Sequence, residues 1–401
     1  MQPKAIKITD YTYNLPDHKI AFEPLAERDA SKLLVYHNEV ISETIYKNIA
    51  DHLPNNSLLV FNNTKVIQAR LLFTKATGGT IEIFVLEAYN IPIALAMEQQ
   101  HSILVKCFVG GANKWKATHL HKKIIVENTE IELTASIENT IENYFIINLT
   151  WHTTHSFATI LEVAGNMPLP PYIKRNTNPA DTTRYQTIYA AHNGSVAAPT
   201  AGLHFTPHIF TALQSKNISS QYITLHVGAG TFKPVQSTTM QEHAMHQEYI
   251  QVTALLIQNL LTNQPITAVG TTSLRTLESL YWLGVYTIAN KNITPDELHI
   301  KQWDCYELPQ QYTKYEALES LLLWLQHNQL TSLTTTTQLL IVPGYTFKIC
   351  SAIITNFHQP KSTLLLLIAA ATHNNWQHIY DYALQHDYRF LSYGDGCLIY
   401  I

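Results

Sequence analysis

The chain has 401 residues, of which 46% are hydrophobic and 14% are charged, and its formal net charge at pH 7 is −4. This composition excludes a long disordered chain and is typical of a folded globular protein. The negative net charge excludes a protein that coats nucleic acid through bulk positive charge, but it is compatible with a local basic groove for one RNA. Because this length exceeds the size of one typical hydrophobic core, we expect two domains.

Cysteine usage and hydropathy predict a cytoplasmic protein with no contact to a membrane. The longest apolar run, residues 364–371, is too short to span a bilayer, and the N-terminal residues have no apolar run of the signal-peptide kind. The cysteines form no Cys-x-x-Cys pair, so we expect neither structural zinc nor a disulfide framework. They are Cys107, Cys305, Cys350 and Cys397.

Two patterns occur in the first 150 residues. Residues 57–62 form a continuous apolar run that predicts a buried strand. From about residue 65 to residue 150, short segments alternate polar and apolar residues and are separated by turns such as Gly78-Gly79 and Gly110-Gly111. This second pattern predicts an antiparallel sheet or a small barrel.

After Trp151, predicted strands alternate with predicted helices. The helices are expected where apolar positions recur at helical spacing, in some cases beside a capping residue. They lie at 156–163 before Gly165, after an N-cap at Asp181, after Thr206-Pro207, after Gly270, and at 314–327, 362–371 and 376–387. Residues 331–337 are Thr-rich and are predicted to form a loop. We infer an α/β body of residues 1–64 and 151–401, interrupted by an inserted all-β domain at 65–150.

Histidine, glycine and threonine are concentrated between residues 194 and 248, which contain five histidines. Glycine and threonine let a backbone approach a ligand closely, and histidine moves protons near neutral pH. A packed core does not need these three residue types at such density, so the segment predicts a catalytic site. The candidate acid–base residues are His204, His226, His243, His246 and Glu248. For His204, a buried histidine with satisfied hydrogen bonds is an equally good interpretation.

The last three of these residues form a His-x-x-His-x-Glu pattern, which also suits a metal site. A metal-dependent hydrolase is therefore an alternative. The polar residues before the pattern and the apolar alternation after it indicate a loop that enters a strand, which favours acid–base chemistry without a metal. Upstream, the segment from His226 to Thr231 contains a lone Gly-x-Gly, a weak indication of nucleotide binding.

Two strand-to-helix junctions predict anion sites. At the first, a helix begins at Gly270, Thr271 and Thr272. This helix carries Arg275 and Glu278, which are one turn apart. A capped helix with a surface ion pair explains this segment as well. The second junction carries Asn356, His358 and Lys361. Other candidates are Tyr393 and Asp395, whose carboxylate would suit a cationic ligand, and Lys174 and Arg175 on a stiff loop suited to phosphate contact.

These segments together resemble the S-adenosylmethionine:tRNA ribosyltransferase-isomerase family of queuosine biosynthesis. The most specific matches are GSVAAPTAGLHFT, TLHVGAGTFKPV, HAMHQE, AVGTTSLRTLES and ITNFHQPKST, which run in the family's order. The resemblance spans nearly the whole chain. It implies a distorted α/β barrel-like body with an inserted antiparallel β-barrel. It also implies S-adenosylmethionine as a co-substrate with no permanently bound cofactor, tRNA as a partner, and a monomer.

The resemblance implies a reaction in which the ribosyl part of S-adenosylmethionine is transferred to an aminomethyl-deazaguanine at the tRNA wobble position and rearranged. The histidines above would move protons, and Arg275 with the first junction would hold the methionine carboxylate. Asp395 or Glu278 would hold the cationic aminomethyl group. The further substrate-binding candidates are Thr200, Gly202, Gly228, Gly230 and Thr231. The tRNA-contact candidates are Lys174, Arg175, Arg184 and Lys361.

Several positions depart from the family pattern. Asn63 and Ser351 stand where the family usually has aspartate, and residues 290–337 form an extended region. The loss of two carboxylates makes a non-catalytic tRNA-binding paralogue an alternative to the enzyme. The matched histidine-bearing segments oppose that alternative.

Overall fold

A computed structural model of the chain describes residues 2–75, 77–228 and 235–401. The strands are β1 (Lys32–His37), β2 (Val40–Ile45), β3 (Leu58–Asn62), β4 (Thr64–Val66), β5 (Arg70–Thr74), β6 (Thr80–Ala88), β7 (Ser102–Gly110), β8 (His119–Val126), β9 (Thr129–Ile141), β10 (Tyr144–Thr150), β11 (Gly165–Asn166), β12 (His192–Ser195), β13 (Ser219–Leu225), β14 (Glu248–Thr253), β15 (Ile266–Val269), β16 (Ser332–Thr337), β17 (Ala352–Asn356) and β18 (Gly396–Tyr400). The α-helices are α1 (Ile93–Met97), α2 (Phe157–Ala164), α3 (Asp181–Arg184), α4 (Pro207–Ser215), α5 (Ala254–Leu260), α6 (Thr271–Ala289), α7 (Asp304–Glu307), α8 (Lys314–His327), α9 (Thr363–Ala371) and α10 (Trp376–Gln385).

The body is built on a mixed nine-stranded sheet in the order β16-β14-β13-β3-β15-β17-β18-β1-β2. Its centre is parallel, since β3 pairs in parallel with both β13 and β15, and β15 with β17. Alternate residues of β3 point to opposite faces, where Leu58 and Val60 enter one core and Leu59 and Phe61 enter another. Both faces are therefore covered, which explains the continuous apolar run in the sequence.

The inserted sheet is antiparallel and has seven strands in the order β11-β5-β6-β7-β10-β9-β8. It curls so that β5 approaches β8, giving a half-barrel with its own apolar core. The predicted alternating segments all form strands here, so the expectation of a mixed α/β chain with an antiparallel sheet is confirmed. The same core also takes in Trp151 and Phe157, which lie beyond residue 150.

Most predicted helices are confirmed, with their caps. The side chains of Ser156, Thr206 and Ser362 each accept a hydrogen bond from the backbone of the first helical turn of α2, α4 and α9. Helix α8 spans the predicted residues and begins with a complete capping box. Gly165 ends α2, but its φ of −97° is ordinary. Glycine is needed there because a Cβ would lie 1.8 Å from the Gln68 carbonyl oxygen.

Two predictions of local structure were wrong. Residues 332–337 form β16, which pairs with β14, instead of a loop, because threonine is β-branched and suits a strand even when it is polar. Asp181 is not the cap of a long helix. Its side chain is buried against Arg175, and α3 lasts only one turn. Among the described residues, no helix has the length and apolar character needed to cross a bilayer.

Candidate active site

Three clefts meet around Val227 and Glu248. The turn cleft, about 110 Å³, lies between Thr200, the Gly270–Thr272 turn and the residues after β17. The arginine cleft, about 540 Å³, lies between residues 235–248, α6 and α9. The aromatic cleft, about 570 Å³, lies between the start of β14 and the inserted sheet. The two larger volumes match those of typical small-molecule sites.

Shared lining residues show that the three clefts adjoin. Val227 lines both the turn cleft and the aromatic cleft. Ser362 and Leu364 line both the turn cleft and the arginine cleft. Glu248 lines both the arginine cleft and the aromatic cleft. A ligand in one cleft can therefore reach a ligand in the next.

The turn cleft gathers residues that are far apart in the sequence. Gly270, with a φ of 92°, makes the left-handed turn from β15 into α6, which a residue with a side chain adopts only with strain. Behind it, Thr271 and Thr272 begin the helix with backbone N–H groups that have no intrahelical partner. These predicted site residues line the cleft together with Thr200, Asn356 and His358.

His204 is held behind the turn cleft and does not line it. Its ring stacks on Tyr46 at 4.1 Å, and burial lowers its pKa to about 4, so it is neutral at pH 7. Its Nδ1 lies 3.3 Å from the carbonyl oxygen of Arg28, which only accepts, so Nδ1 carries the proton. Its Nε2 then accepts from Asn356 Nδ2 at 3.4 Å. This environment agrees with the interpretation of His204 as a buried histidine with satisfied hydrogen bonds, and its catalytic role stays a prediction.

The hydrogen-bond chain continues from Asn356 into the turn cleft. The Thr200 hydroxyl donates to Asn356 Oδ1 at 2.8 Å. Because the proton of this hydroxyl points inward, its oxygen faces the cleft as an acceptor only. His204 and Asn356 thus fix the polarity of Thr200. A ligand group that contacts Thr200 must be a donor.

His358 also lines the turn cleft, and its polar contacts are to Thr355 and Tyr380. Its Nε2 lies 2.9 Å from the Thr355 hydroxyl, and its backbone N–H donates to the Tyr380 hydroxyl at 3.0 Å. Burial lowers the pKa of His358 to about 3. The ring is therefore neutral at pH 7 and is a hydrogen-bonding group of the wall.

The arginine cleft has a buried ion pair at its base. The Arg275 guanidinium pairs through Nη1 with Glu248 Oε2, and each side chain is only 7% exposed. Arg275 Nε donates to the Leu339 carbonyl oxygen at 3.0 Å. The third nitrogen, Nη2, is buried and has no hydrogen-bond partner among the described residues. A buried donor left unpaired is costly, so this atom suits an anionic ligand group.

His243 and His246 line the same cleft. Burial and the neighbouring His246 lower the pKa of His243. The backbone carbonyl of His243 is held by Gln302 Nε2 at 2.7 Å, which fixes the loop that carries both rings. Within the described ranges, no group of three His, Cys, Asp or Glu residues is arranged to hold a metal ion. Glu248 pairs with Arg275 instead of joining the histidines.

His226 and Gly228 line the aromatic cleft. His226 Nδ1 lies 2.8 Å from the Thr64 hydroxyl, and burial together with nearby His192 lowers the pKa of His226 to about 4. Gly194 packs so closely that a Cβ would lie 2.8 Å from this ring nitrogen. The opposite wall comes from the inserted sheet, including Tyr89 and Tyr144, which the sequence interpretation missed.

Comparison with known proteins identifies the family. A model of the queuosine biosynthesis protein family matches residues 8–399. The chain belongs to this family. S-adenosylmethionine:tRNA ribosyltransferase-isomerases from Aromatoleum aromaticum and Nitrosococcus oceani are each 34% identical to it over 98% of both chains. A solved structure of an S-adenosylmethionine tRNA ribosyltransferase from Thermotoga maritima is 27% identical, with a TM-score of 0.45, and covers 97% of this chain and 99% of its own. The chain is thus an enzyme of the ribosyltransferase-isomerase family.

Two carboxylates that the resemblance placed at the substrate serve the fold of this family member instead. Glu278 is fully buried and accepts hydrogen bonds from the backbone of residues 348–350 and from the Tyr345 hydroxyl, and burial raises its pKa. Asp395 is 2% exposed, and its carboxylate accepts hydrogen bonds from the backbone N–H groups of Lys32 and Arg389. Neither lines any of the three clefts, so their described contacts give no support to the prediction that either holds the aminomethyl group.

Two other predicted site residues make contacts within the fold, away from the clefts. Tyr393 is buried, with its hydroxyl 3.4 Å from Asp181. Gly202 packs on Tyr189, where a Cβ would lie 1.9 Å from the hydroxyl oxygen. These two residues do not line the clefts. Gly230 and Thr231 lie outside the described residues.

The four predicted tRNA contacts divide into two pairs. Arg175 forms a two-pronged ion pair with Asp181 at 2.7 and 2.8 Å, and Arg184 donates to the backbone carbonyls of residues 25 and 26. Both guanidinium groups are held by contacts within the chain, which give no support to their prediction as phosphate contacts. Lys174 is paired with Asp17, but its side chain is 63% exposed. Lys361 is exposed beside the turn cleft.

Proposed function

We propose that this chain transfers the ribosyl part of S-adenosylmethionine to 7-aminomethyl-7-deazaguanine at the wobble position of tRNA. The product is epoxyqueuosine-tRNA, and adenine and methionine are released. Family membership supports the reaction class. The observation that carries the proposal is the meeting of two ligand-sized clefts at Glu248, with His226 on one side and His243 and His246 on the other.

The arginine cleft suits S-adenosylmethionine. The unpartnered Nη2 of Arg275 would bind the methionine carboxylate, since an arginine nitrogen donates strongly to a carboxylate. The acceptor oxygen of Thr200 in the adjoining turn cleft would accept from a ribose hydroxyl. Gly270, Thr271 and Thr272 place the positive end of α6 at the same cleft.

The reaction requires proton transfers that these histidines can supply. A carbon next to a sulfonium is acidic, so a base removes a proton from C5′ and adenine is lost, taking up a proton. The amine of the acceptor base forms a bond to a carbon of the ribosyl part and loses a proton. An oxygen of the ribosyl part displaces methionine to close the epoxide, and methionine leaves with the electron pair of the broken carbon–sulfur bond. His226, His243 and His246 are the candidates for base and acid. Glu248 holds Arg275 in place.

The two residues that stand in place of aspartates do not lie in the clefts. Asn63 Oδ1 accepts from the Thr224 hydroxyl at 2.7 Å, and the Ser351 hydroxyl donates to the Ile266 carbonyl at 3.1 Å. Neither residue is among the described residues that line the three clefts. Their substitution therefore gives little support to a non-catalytic paralogue. Likewise, the pairing of Glu248 with Arg275 gives no support to a metal-dependent hydrolase.

The proposal is tested by incubating the purified protein with S-adenosylmethionine and tRNA that carries the aminomethyl base. Adenine, methionine and the modified nucleoside are quantified by chromatography and mass spectrometry. We expect equal amounts of adenine and epoxyqueuosine. The control is the same tRNA with guanine at the wobble position, which should give neither product. Binding of the modified tRNA without release of adenine would contradict the proposal and favour the paralogue.

A further inference from the structure

The strand β14 separates the arginine cleft from the aromatic cleft. Successive residues of a strand point to opposite sides. Glu248 is buried and pairs with Arg275, whereas its neighbour Tyr249 is 44% exposed and faces the aromatic cleft. An exposed aromatic ring beside a catalytic cleft is available for stacking with a planar ligand.

The inserted sheet supplies the facing wall. Tyr144, at the start of β10, stacks on Phe108 with ring centroids 5.1 Å apart and an interplanar angle of 20°. Lys106 Nζ lies 4.4 Å from the centre of the Tyr144 ring and 2.8 Å from Glu87 Oε1. Tyr89 lines the same cleft. The two walls therefore present three tyrosines to one cavity.

The tip of the β9–β10 hairpin lies over the junction of the two larger clefts. Glu142 lines the aromatic cleft, and the next residue, Asn143, lines the arginine cleft. Glu142 makes no ion pair with any described residue, and its φ of 51° belongs to the tight turn. A ligand group held at this tip would therefore lie close to a ligand in the arginine cleft.

The charges of the aromatic cleft identify the kind of ligand it suits. Its lining contains three carboxylates and one lysine, and His226 is neutral at pH 7 because burial lowers its pKa. Lys106 pairs with Glu87 and Arg275 pairs with Glu248, so Glu142 is the carboxylate of this lining that has no ion-pair partner among the described residues. An unpaired carboxylate disfavours phosphate and favours a cation. Tyrosine faces attract cations as well as planar rings. The carboxylates are Glu87, Glu142 and Glu248.

We propose that the aromatic cleft binds the acceptor nucleobase itself, unstacked from the anticodon loop. This inference rests on the proposed function, because that function supplies a base that is both aromatic and cationic. The ring stacks on Tyr249, and the aminomethyl ammonium faces the hairpin tip with Glu142 as its counter-ion. The inserted sheet thereby acts as the reader of the modified base.

The test measures binding without chemistry. Fluorescently labelled anticodon stem-loops carry the aminomethyl base, its uncharged acetylated derivative, or guanine, and anisotropy is followed without S-adenosylmethionine. We expect the wild type to prefer the aminomethyl stem-loop. Tyr249→Ala should weaken binding of the aminomethyl stem-loop about tenfold, the loss of one base stack, whereas Tyr249→Phe keeps the ring and the affinity. Glu142→Gln should abolish the preference for the charged base.

Matched variants outside the cleft control for changes in the fold. Tyr315 on α8 is 42% exposed, close to the exposure of Tyr249, so Tyr315→Ala should bind as the wild type does. Glu138→Gln changes an exposed carboxylate on the same hairpin. The inference is overturned when Tyr249→Ala and Glu142→Gln bind all three stem-loops with wild-type affinity. Selective binding without turnover would instead contradict only the proposed function.

Discussion

Arg275 on α6 and Glu248 at the start of β14 form an ion pair in which each side chain is only 7% exposed. The pair uses one of the two terminal nitrogens of the guanidinium, and Nε donates a hydrogen bond to the backbone carbonyl oxygen of Leu339. The remaining nitrogen, Nη2, is buried in the wall of the arginine cleft without a described partner. One residue thus joins the fold through two contacts and offers a third to a ligand.

The first prediction concerns this unpartnered nitrogen. Arg275→Lys keeps the positive charge beside Glu248 but removes the planar pair of terminal N–H groups. We expect the KM for S-adenosylmethionine to rise about 10- to 100-fold, the worth of one hydrogen bond to a charged group. The KM for tRNA should stay unchanged. Steady-state kinetics with each substrate varied in turn checks this.

A decarboxylated S-adenosylmethionine separates recognition of the carboxylate from a general defect. The wild type should bind the complete molecule more tightly than the decarboxylated one, and Arg275→Lys should bind both with similar affinity. Calorimetry gives both dissociation constants. If the variant still prefers the carboxylate by the wild-type factor, Arg275 is not its partner. Arg275→Ala is unsuitable because it leaves Glu248 buried and unpaired, at a cost of about 3–5 kcal/mol.

The second prediction concerns the hydrogen-bond chain through His204, Asn356 and Thr200. Thr200→Val removes the acceptor from the turn cleft and leaves Asn356 Oδ1 unpaired, so we expect kcat/KM for S-adenosylmethionine to fall about tenfold. Thr200→Ser keeps the hydroxyl and should retain most of the activity. Wild-type activity in Thr200→Val would show that the hydroxyl does not contribute.

Much of the fold was predictable because local signals agree with the tertiary structure. Apolar alternation identified the strands of the inserted sheet, the cap at Thr206-Pro207 identified α4, and helical spacing identified α8 and α9. Strands made of polar residues were harder to predict from the sequence. The β16 strand consists mostly of threonines, and it is extended because it pairs with β14, a contact that no local pattern reveals.

The candidate site was only partly predictable, because a sequence shows which residues can do chemistry but not which way they face. Arg275 and Glu278 are one turn apart on α6, yet Arg275 reaches a cleft and Glu278 is enclosed by the backbone of residues 348–350. Tyr249 and Tyr144 were missed for the opposite reason. Each lies in an ordinary strand pattern, and only the approach of the inserted sheet to β14 brings them to one cavity.

The third prediction tests a glycine that packing requires. In Gly165→Ala the new Cβ would lie 1.8 Å from the Gln68 carbonyl oxygen, so the backbone between α2 and the inserted sheet must shift. We expect the free energy of unfolding to fall by about 2 kcal/mol or more, as in other overpacked sites. Gly79→Ala is the control, since the atoms nearest its Cβ position belong to the flexible end of the Lys75 side chain, which can move. Chemical denaturation measures both variants, and equal stabilities would contradict the packing argument.

The fourth prediction is a loss of stability in mild acid. Burial lowers the pKa of His204 and of His226 to about 4 and that of His358 to about 3, whereas an unfolded chain titrates histidine near its ordinary value of 6.5. As the pH falls from about 6.5 toward 4, the unfolded state therefore binds more protons than the folded state, and the free energy of unfolding decreases. Above that range these three groups leave stability independent of pH.

Urea denaturation between pH 7.5 and pH 4.5 gives the slope of the free energy of unfolding against pH. His226→Gln should make it shallower, whereas His208→Gln at an exposed position should not, and a slope as steep in His226→Gln as in the wild type would contradict the assignment.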